Sequence, residues 1–441
     1  MFYRAFRFVA SVLLRLFFRL EAPVDPQLAL QAEGPVMFVG NHPNGLVDPG
    51  MVFILARRQV TFLAKEPLFR LPVLGQILKG MDALPVFRKQ DGPGDTTKNE
   101  GTLTASVAAL EQGRAITIFP EGKSHSEPQL AELKTGAARI ALEASRKGAK
   151  VRLIPIGITY EAKNLFRSRV HVEVGKPIEA RDFVEQPGEE PHQAAKRLTS
   201  TIADALRAVT LNLEAWEDLP IVETAESLWA LSRGQSAGDP ERQKAFARGM
   251  SLVRSEQPER FESLKTQLAS FRTRLTLLSV TPDDLTSRYR PATVAWFITR
   301  NLLWLATLPL FLIGVGLFFI PWLLPQLAVK AAKPEIDTES TVKVLTLLLL
   351  APLWWAVLVI GAWFAAGLPF ALFALVATLP LAAFTRYYFE RRVAALRDVR
   401  TFFVLISRRA VQARLLQEGQ ALSNEVERLA AEYGPRVIAT P

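Results

Sequence analysis

Cysteine is absent from all 441 residues. Its absence excludes disulfides, thiolate metal sites and a covalent acyl-cysteine intermediate, and leaves the redox compartment open. Histidine is nearly as scarce: four residues, at 42, 125, 171 and 192, without paired spacing, so no metal is assigned. Acidic groups fall short of basic ones, 43 against 53, for a formal net charge of +10. That excess suits an anionic partner, nucleic acid or a membrane surface. Nucleic acid has little else in its favour, since there is no binding motif and no basic stripe interleaved with aromatics outside the membrane-flanking stretches. Charge is missing altogether from two long stretches, 301–329 and 344–385. A spanning helix needs about 20 apolar residues, which allows one pass in the first stretch and two in the second. Pro309, Pro321, Pro325, Gly361, Gly367 and Pro369 mark where these helices bend or turn back.

The most informative stretch that is present runs from Met37 to Pro49, Met-Phe-Val-Gly-Asn-His-Pro-Asn-Gly-Leu-Val-Asp-Pro. Its apolar start reads as a strand over Val36 to Val39, and Gly40, Pro43 and Gly45 then turn the chain, which predicts that His42 and Asp48 lie on a loop. Histidine titrates nearest neutrality of all side chains, so a His whose far nitrogen is oriented by a carboxylate is the usual general base for a hydroxyl. The alternative for these residues alone is a His satisfying a buried backbone group beside an unrelated Asp.

Along the chain, residues 1–22 form a basic amphipathic helix suited to a membrane interface, with Arg4, Arg7, Arg15 and Arg19 in one arc and Phe2, Phe6, Val9, Leu13, Leu16 and Leu20 on the other side. Packing against a protein core is the competing reading. From 23 to 180, β-rich runs (60–64, 115–119, 151–158, 170–174) alternate with helical patterns (102–112, 134–147), predicting an α/β domain, a mixed sheet flanked by helices. Asp91 to Gly101 is polar and Gly-rich, as expected of a mobile loop. Residues 181–295 read as a helical accessory region, 296–386 as membrane helices and 387–441 as a cytoplasmic helical tail.

Three further stretches supply cations and a carboxylate. They are Ala64 to Gly75 with Lys65, Gly80 to Arg88, and Ile118-Phe-Pro-Glu-Gly-Lys-Ser124; Leu153-Ile-Pro-Ile-Gly157 follows. A base, a carboxylate and several cations are the equipment for an alcohol that carries a phosphate. Gly122-Lys123-Ser124 also looks like the end of a P-loop, but the earlier glycine would fall at Thr117 and Pro120 removes a donor. No Gly-x-Ser-x-Gly elbow is present.

In these residues the chain resembles the phospholipid/glycerol acyltransferase superfamily, whose ordered motifs are matched by Asn41, His42 and Asp48, by Gly80 and Arg88, by Phe119 to Gly122 with Ser124, and by Pro155. Five residues separate His42 from Asp48 where the superfamily usually has four, and Lys123 stands where Thr or Arg is frequent. The spacing and the Val-Asp-Pro ending are similar to those of a long glycerol-3-phosphate/dihydroxyacetone-phosphate acyltransferase branch with a C-terminal membrane region. The resemblance implies direct transfer from acyl-CoA or acyl-carrier protein, without a resident cofactor, to the sn-1 hydroxyl of glycerol 3-phosphate or dihydroxyacetone phosphate. His42 and Asp48 would be catalytic, and Asn41, Lys65, Arg88, Glu121, Gly122, Lys123 and Ser124 would contact substrate. The rivals are acylation of lysophosphatidate at sn-2 and a non-catalytic lipid-binding membrane protein. Basic flanks on both sides of the membrane region place both in the cytoplasm with the catalytic domain, which requires an even number of crossings although length alone gives three. The connecting segment Lys330 to Lys343 is then expected outside, or in a cavity at membrane depth.

Overall fold

The computed structural model describes residues 2–21, 33–56, 58–72, 74–87, 99–186, 188–286, 291–407 and 409–439. Arg88 and most of the predicted 91–101 loop lie outside them. The apolar runs of the N-terminal half become one mixed sheet of eight strands: β1 (Arg19–Glu21), β2 (Val36–Gly40), β3 (Val60–Lys65), β4 (Leu84–Val86), β5 (Ala115–Ile118), β6 (Arg152–Tyr160), β7 (Arg169–Val174) and β8 (Ile178–Glu179). Their order is β1-β7-β6-β2-β5-β3-β4, with β8 also on β6. Strands β6, β2, β5, β3 and β4 are mutually parallel, whereas β7 and β8 run antiparallel to β6. Parallel central strands need cover on both faces, which is why every residue of β2 is apolar or Gly and buried.

Helices supply that cover. Nine residues, Val47–Leu55, form α2, and Phe2–Phe17 form α1. Phe53 of α2 meets Tyr3 and Phe6 of α1 at 5.1 and 5.7 Å and Phe62 of β3 at 6.0 Å. Behind the sheet, α3 (Leu74–Gly80) is followed by α4 (Asn99–Glu111), α5 (Gly136–Arg146) and α6 (Pro191–Val209). Leu110, Leu142, Leu198 and Leu206 from the last three pack on Met37, Val39, Ile116 and Leu153 of the strands. Helix α6 thus belongs with the sheet, and the chain divides at Asn212 instead of the expected 180, because its apolar face has the sheet to cover. The first unit is Met1–Asn212 joined by Ala332–Leu345, and the second is Leu213–Ala331 with Thr346–Thr440.

The first helix packs on the domain by one face and leaves another bare. Leu14 and Phe17 are buried, while Phe8, Val9, Val12 and Leu16 stay exposed beside Arg4 and Arg15.

In the second unit, α7 (Leu219–Ser232), α8 (Pro240–Glu256), α9 (Pro258–Leu278), α10 (Pro282–Thr286) and α15 (Arg409–Ala439) share one core around Leu228, Phe261, Phe271, Leu422 and Tyr433. The accessory region and the tail, read as separate segments, are one helical body because their apolar faces are complementary. Between them lie α11 (Pro291–Leu305), α12 (Leu308–Ala332), α13 (Glu339–Ala366) and α14 (Leu368–Ser407). Three of these, α12, α13 and α14, are long and apolar enough to cross a membrane. Helix α14 runs on past Arg386 without a break, since arginine is a good helix former and only the hydropathy changes there.

Candidate active site

Parallel strands send their carboxyl ends to one edge of a sheet, where ligands of open α/β folds bind. His42 follows β2 at that edge, Phe119 to Ser124 follow β5, Lys65 ends β3, and Tyr160 ends β6. The imidazole Nδ1 of His42 lies 2.8 Å from Asp48 Oδ2. A carboxylate only accepts, so Nδ1 carries the hydrogen and the lone pair is left on Nε2. The His42 side chain is 18% exposed and Asp48 fully buried, so the base is reachable while its orienting partner is dry. The Phe119 ring stacks on the imidazole at 4.4 Å. Gly40 permits this, because a Cβ there would stand 3.0 Å from the Phe119 ring.

Asp48 is on the first turn of α2, not on the predicted loop. Pro49 suits the start of a helix, and the five-residue apolar run after Gly50 is too short to tell helix from strand in sequence. With five residues between them, His42 and Asp48 still meet. Asp48 Oδ2 also accepts from Asn44 N at 2.6 Å, and Oδ1 accepts from the Tyr160 hydroxyl at 2.7 Å. Burial, reinforced by the Asp48 charge, raises the Tyr160 pKa well above the ordinary phenol value, so the phenol stays a donor.

Two of the expected substrate contacts are occupied by the protein itself. Asn41 donates to Ile158 O at 3.0 Å and accepts from Ile158 N at 2.7 Å, clipping the β2 exit to β6. Glu121 accepts from His42 N at 2.7 Å and from Ala131 N at 2.9 Å, and pairs with His125 Nε2. His125 Nδ1 accepts from Glu127 N at 3.1 Å, so His125 Nε2 bears the hydrogen that meets Glu121. His125 N in turn donates to His42 O at 3.1 Å. With these contacts Glu121 fixes the loop that follows β5 against the His42 backbone.

Gly122 turns the loop at a φ of +75°, a conformation a side chain would strain. Lys123 and Lys65 are exposed, and Ser124 is half-buried. Lys163, unmarked by any sequence motif, donates to Pro43 O at 2.8 Å, His125 O at 3.3 Å and Ser126 Oγ at 2.7 Å. It bolts the His42 loop to the His125 loop. Burial pulls its pKa down, opposed by Asp337 and Asp48. Tyr160 and Lys163 are the residues that sequence reasoning missed; their only signal is position just after the Pro-containing strand.

Residues 24–159 match the model of the Acyltransferase family. Over that span the chain is similar to glycerophospholipid acyltransferases. Over 134 residues it is 34% identical to glycerol-3-phosphate O-acyltransferase 2 of Saccharomyces cerevisiae, covering 30% of this chain and 18% of that protein. An uncharacterized acyltransferase of Schizosaccharomyces pombe is 24% identical over 309 residues, 50% of this chain and 46% of the relative. The 1-acyl-sn-glycerol-3-phosphate acyltransferase of Bacillus subtilis is 30% identical over 135 residues, 30% of this chain and 61% of the relative. The chain thus spans less than half of the fungal relatives' own length. The acyltransferase domain carries the His42 and Asp48 pair, together with Tyr160 just beyond its matched end.

Proposed function

We propose that this protein is a membrane-bound O-acyltransferase that moves a fatty acyl group from an acyl thioester to the sn-1 hydroxyl of glycerol 3-phosphate or dihydroxyacetone phosphate. The observation that carries the reading is the reachable His42 Nε2, with Nδ1 donated to a buried carboxylate that is itself held by Asn44 and Tyr160. His42 takes the hydroxyl proton as the oxygen attacks the thioester carbonyl, and Asp48 stabilises the imidazolium. Collapse of the tetrahedral intermediate expels the thiolate, which regains the proton from His42 and leaves as a thiol. No covalent enzyme intermediate is required. Arg88 holds the acceptor's phosphate through charge-assisted hydrogen bonds, with Lys65 and Lys123 as further cations at the loop edge. The names of the Saccharomyces relatives support glycerol 3-phosphate as acceptor, and the three long apolar helices support membrane residence. The basic flanks support a cytoplasmic catalytic face, where activated acyl donors are found.

A second reading, acylation of lysophosphatidate at sn-2, is favoured by the Bacillus relative. The test is purified protein in detergent with labelled acyl-CoA or acyl-carrier protein and three acceptors in parallel: glycerol 3-phosphate, dihydroxyacetone phosphate and 1-acyl-glycerol 3-phosphate. Faster turnover of the 1-acyl acceptor reverses the ranking. Transfer to none of them from either donor makes the chain a non-catalytic lipid-binding protein.

A further inference from the structure

Residues Ala332–Leu345, which comprise the end of α12, the connection after it and the first two turns of α13, fold with the catalytic unit although the two helices are apolar. Their polar side chains go inward: Asp337, Ser340 and Lys343 are 4%, 0% and 7% exposed. Thr341 Oγ1 accepts from Leu46 N at 3.1 Å. Ser340 Oγ donates to Lys163 O. Glu339 accepts from Asn164 Nδ2 at 3.1 Å, and Lys343 Nζ donates to Asn164 O at 2.7 Å while pairing with Glu339 at 2.5 Å. At Gly45 the approach is close enough that a Cβ would lie 2.8 Å from Thr341 Oγ1 and 3.1 Å from Asp337 O.

What these contacts grip is significant. Leu46 immediately precedes α2, whose first turn holds Asp48, and Asn44 N donates to that carboxylate. Lys163 is the cation that ties Pro43 to the His125 loop. One short segment therefore holds both loops that bracket the His42 and Asp48 pair, and it lies between two helices long and apolar enough to cross a membrane. An ordinary surface connection between membrane helices would leave its charged and hydroxyl groups in water.

We propose that Ala332–Leu345 is a positioning strap: it fixes the His42 to Asp48 loop through Thr341 and Ser340, and lies on the same side of the bilayer as the catalytic unit. This departs from the expectation of a connection outside or in a membrane cavity. The physical reason is that its buried polar groups find their partners on the loops of the site. The kinetic part of the inference rests on the proposed acyl transfer, and the sidedness part does not.

Two measurements test it. In the cysteine-free chain, Glu161→Cys, Glu335→Cys and Leu368→Cys are made singly and treated with a membrane-impermeant maleimide in sealed cells and after permeabilisation. The strap predicts that positions 161 and 335 behave alike and that 368, beyond α13, behaves oppositely; reaction of 335 in sealed cells where 161 is protected overturns it. Thr341→Val, which loses the acceptor for Leu46 N, is expected to lower kcat roughly 5–30-fold, the effect of one or two kcal/mol, with acceptor KM unchanged. Thr341→Ser restores turnover. Unchanged kcat in the Val variant, or a rise in KM alone, overturns the positioning role. If the wild type transfers to no acceptor, the proposed function fails while the labelling still decides where the strap lies.

Discussion

Asp48 makes three hydrogen bonds with its two oxygens, to His42, Asn44 and Tyr160, and each fixes a different degree of freedom of the base. Removing the phenol leaves a buried acceptor unpaired, so Tyr160→Phe is expected to cost about 1–3 kcal/mol of stability. A thermal melt in detergent checks this, and an unchanged midpoint means that Asp48 Oδ1 is satisfied otherwise. Glu121→Gln leaves one accepting oxygen where the carboxylate has two, and puts an NH2 group, which cannot accept, against Ala131 N and His125 or against His42 N. It is expected to lower kcat with little change in acceptor KM, because the damage reaches the reaction through His42 N. A KM effect without a kcat effect means that Glu121 touches the acceptor after all. For Arg88→Ala the split runs the other way: loss of a charge-assisted contact worth roughly 1.5–3 kcal/mol raises the acceptor's KM. The acyl donor's KM is expected to stay where it is, and a shift there would make Arg88 a reader of the CoA phosphates. His42 and Asp48 were legible in the sequence because their spacing to turn-forming residues is local. Tyr160 and Lys163 were not, because they reach the site only through the pairing of β6 with β2, more than 100 residues away.

Among the elements, α1 presents two apolar faces where an ordinary surface helix has one. Its inner face, with Leu14 and Phe17, docks on the domain, and its outer stripe, Phe8, Val9, Val12 and Leu16, is left bare beside arginines. Such a stripe suits the headgroup boundary of a bilayer. A polarity-sensitive dye on Phe8→Cys is expected to shift to the blue in nanodiscs relative to the same dye on the exposed Glu127→Cys; equal emission at both positions places the stripe in water. The amphipathic period of α1 and the apolar strands were readable because each pattern extends over enough residues to decide its repeat. Strands β1 and β4, three residues each, carry no such period and exist only because β7 and β3 offer an edge. The turn that makes Asp48 helical was likewise hidden, in a run too short to show a repeat.

At the scale of the whole molecule, the charge and length arguments from sequence disagreed, two flanks on one side against three passes. Helices α13 and α14 meet as a hairpin about Gly367, with Trp355 Nε1 donating to Thr378 Oγ1 at 2.9 Å. On the proposed strap the hairpin would start on the catalytic side and α14 would return there, where its basic run begins. Phe311 at the start of α12 stacks on Tyr388 at 4.4 Å, and Arg392 donates to Asn301 O of α11 at 3.2 Å, so both helices are tied to α14. An Arg428→Cys label in the tail is expected to be protected in sealed cells whenever Glu161→Cys is. An apolar helix that dips and one that crosses have the same composition, which is why the two sequence arguments disagree.

The central claim is that His42, aimed by Asp48, removes the proton from a phosphate-bearing acceptor during direct acyl transfer. Its most direct test is the turnover of glycerol 3-phosphate with labelled acyl-CoA by wild type and His42→Ala, purified in the same detergent and matched by circular dichroism. The account predicts a kcat lower by at least about 10²-fold in the folded variant, the low end of what a positioned general base contributes. Near-normal turnover by a well-folded His42→Ala protein would contradict it.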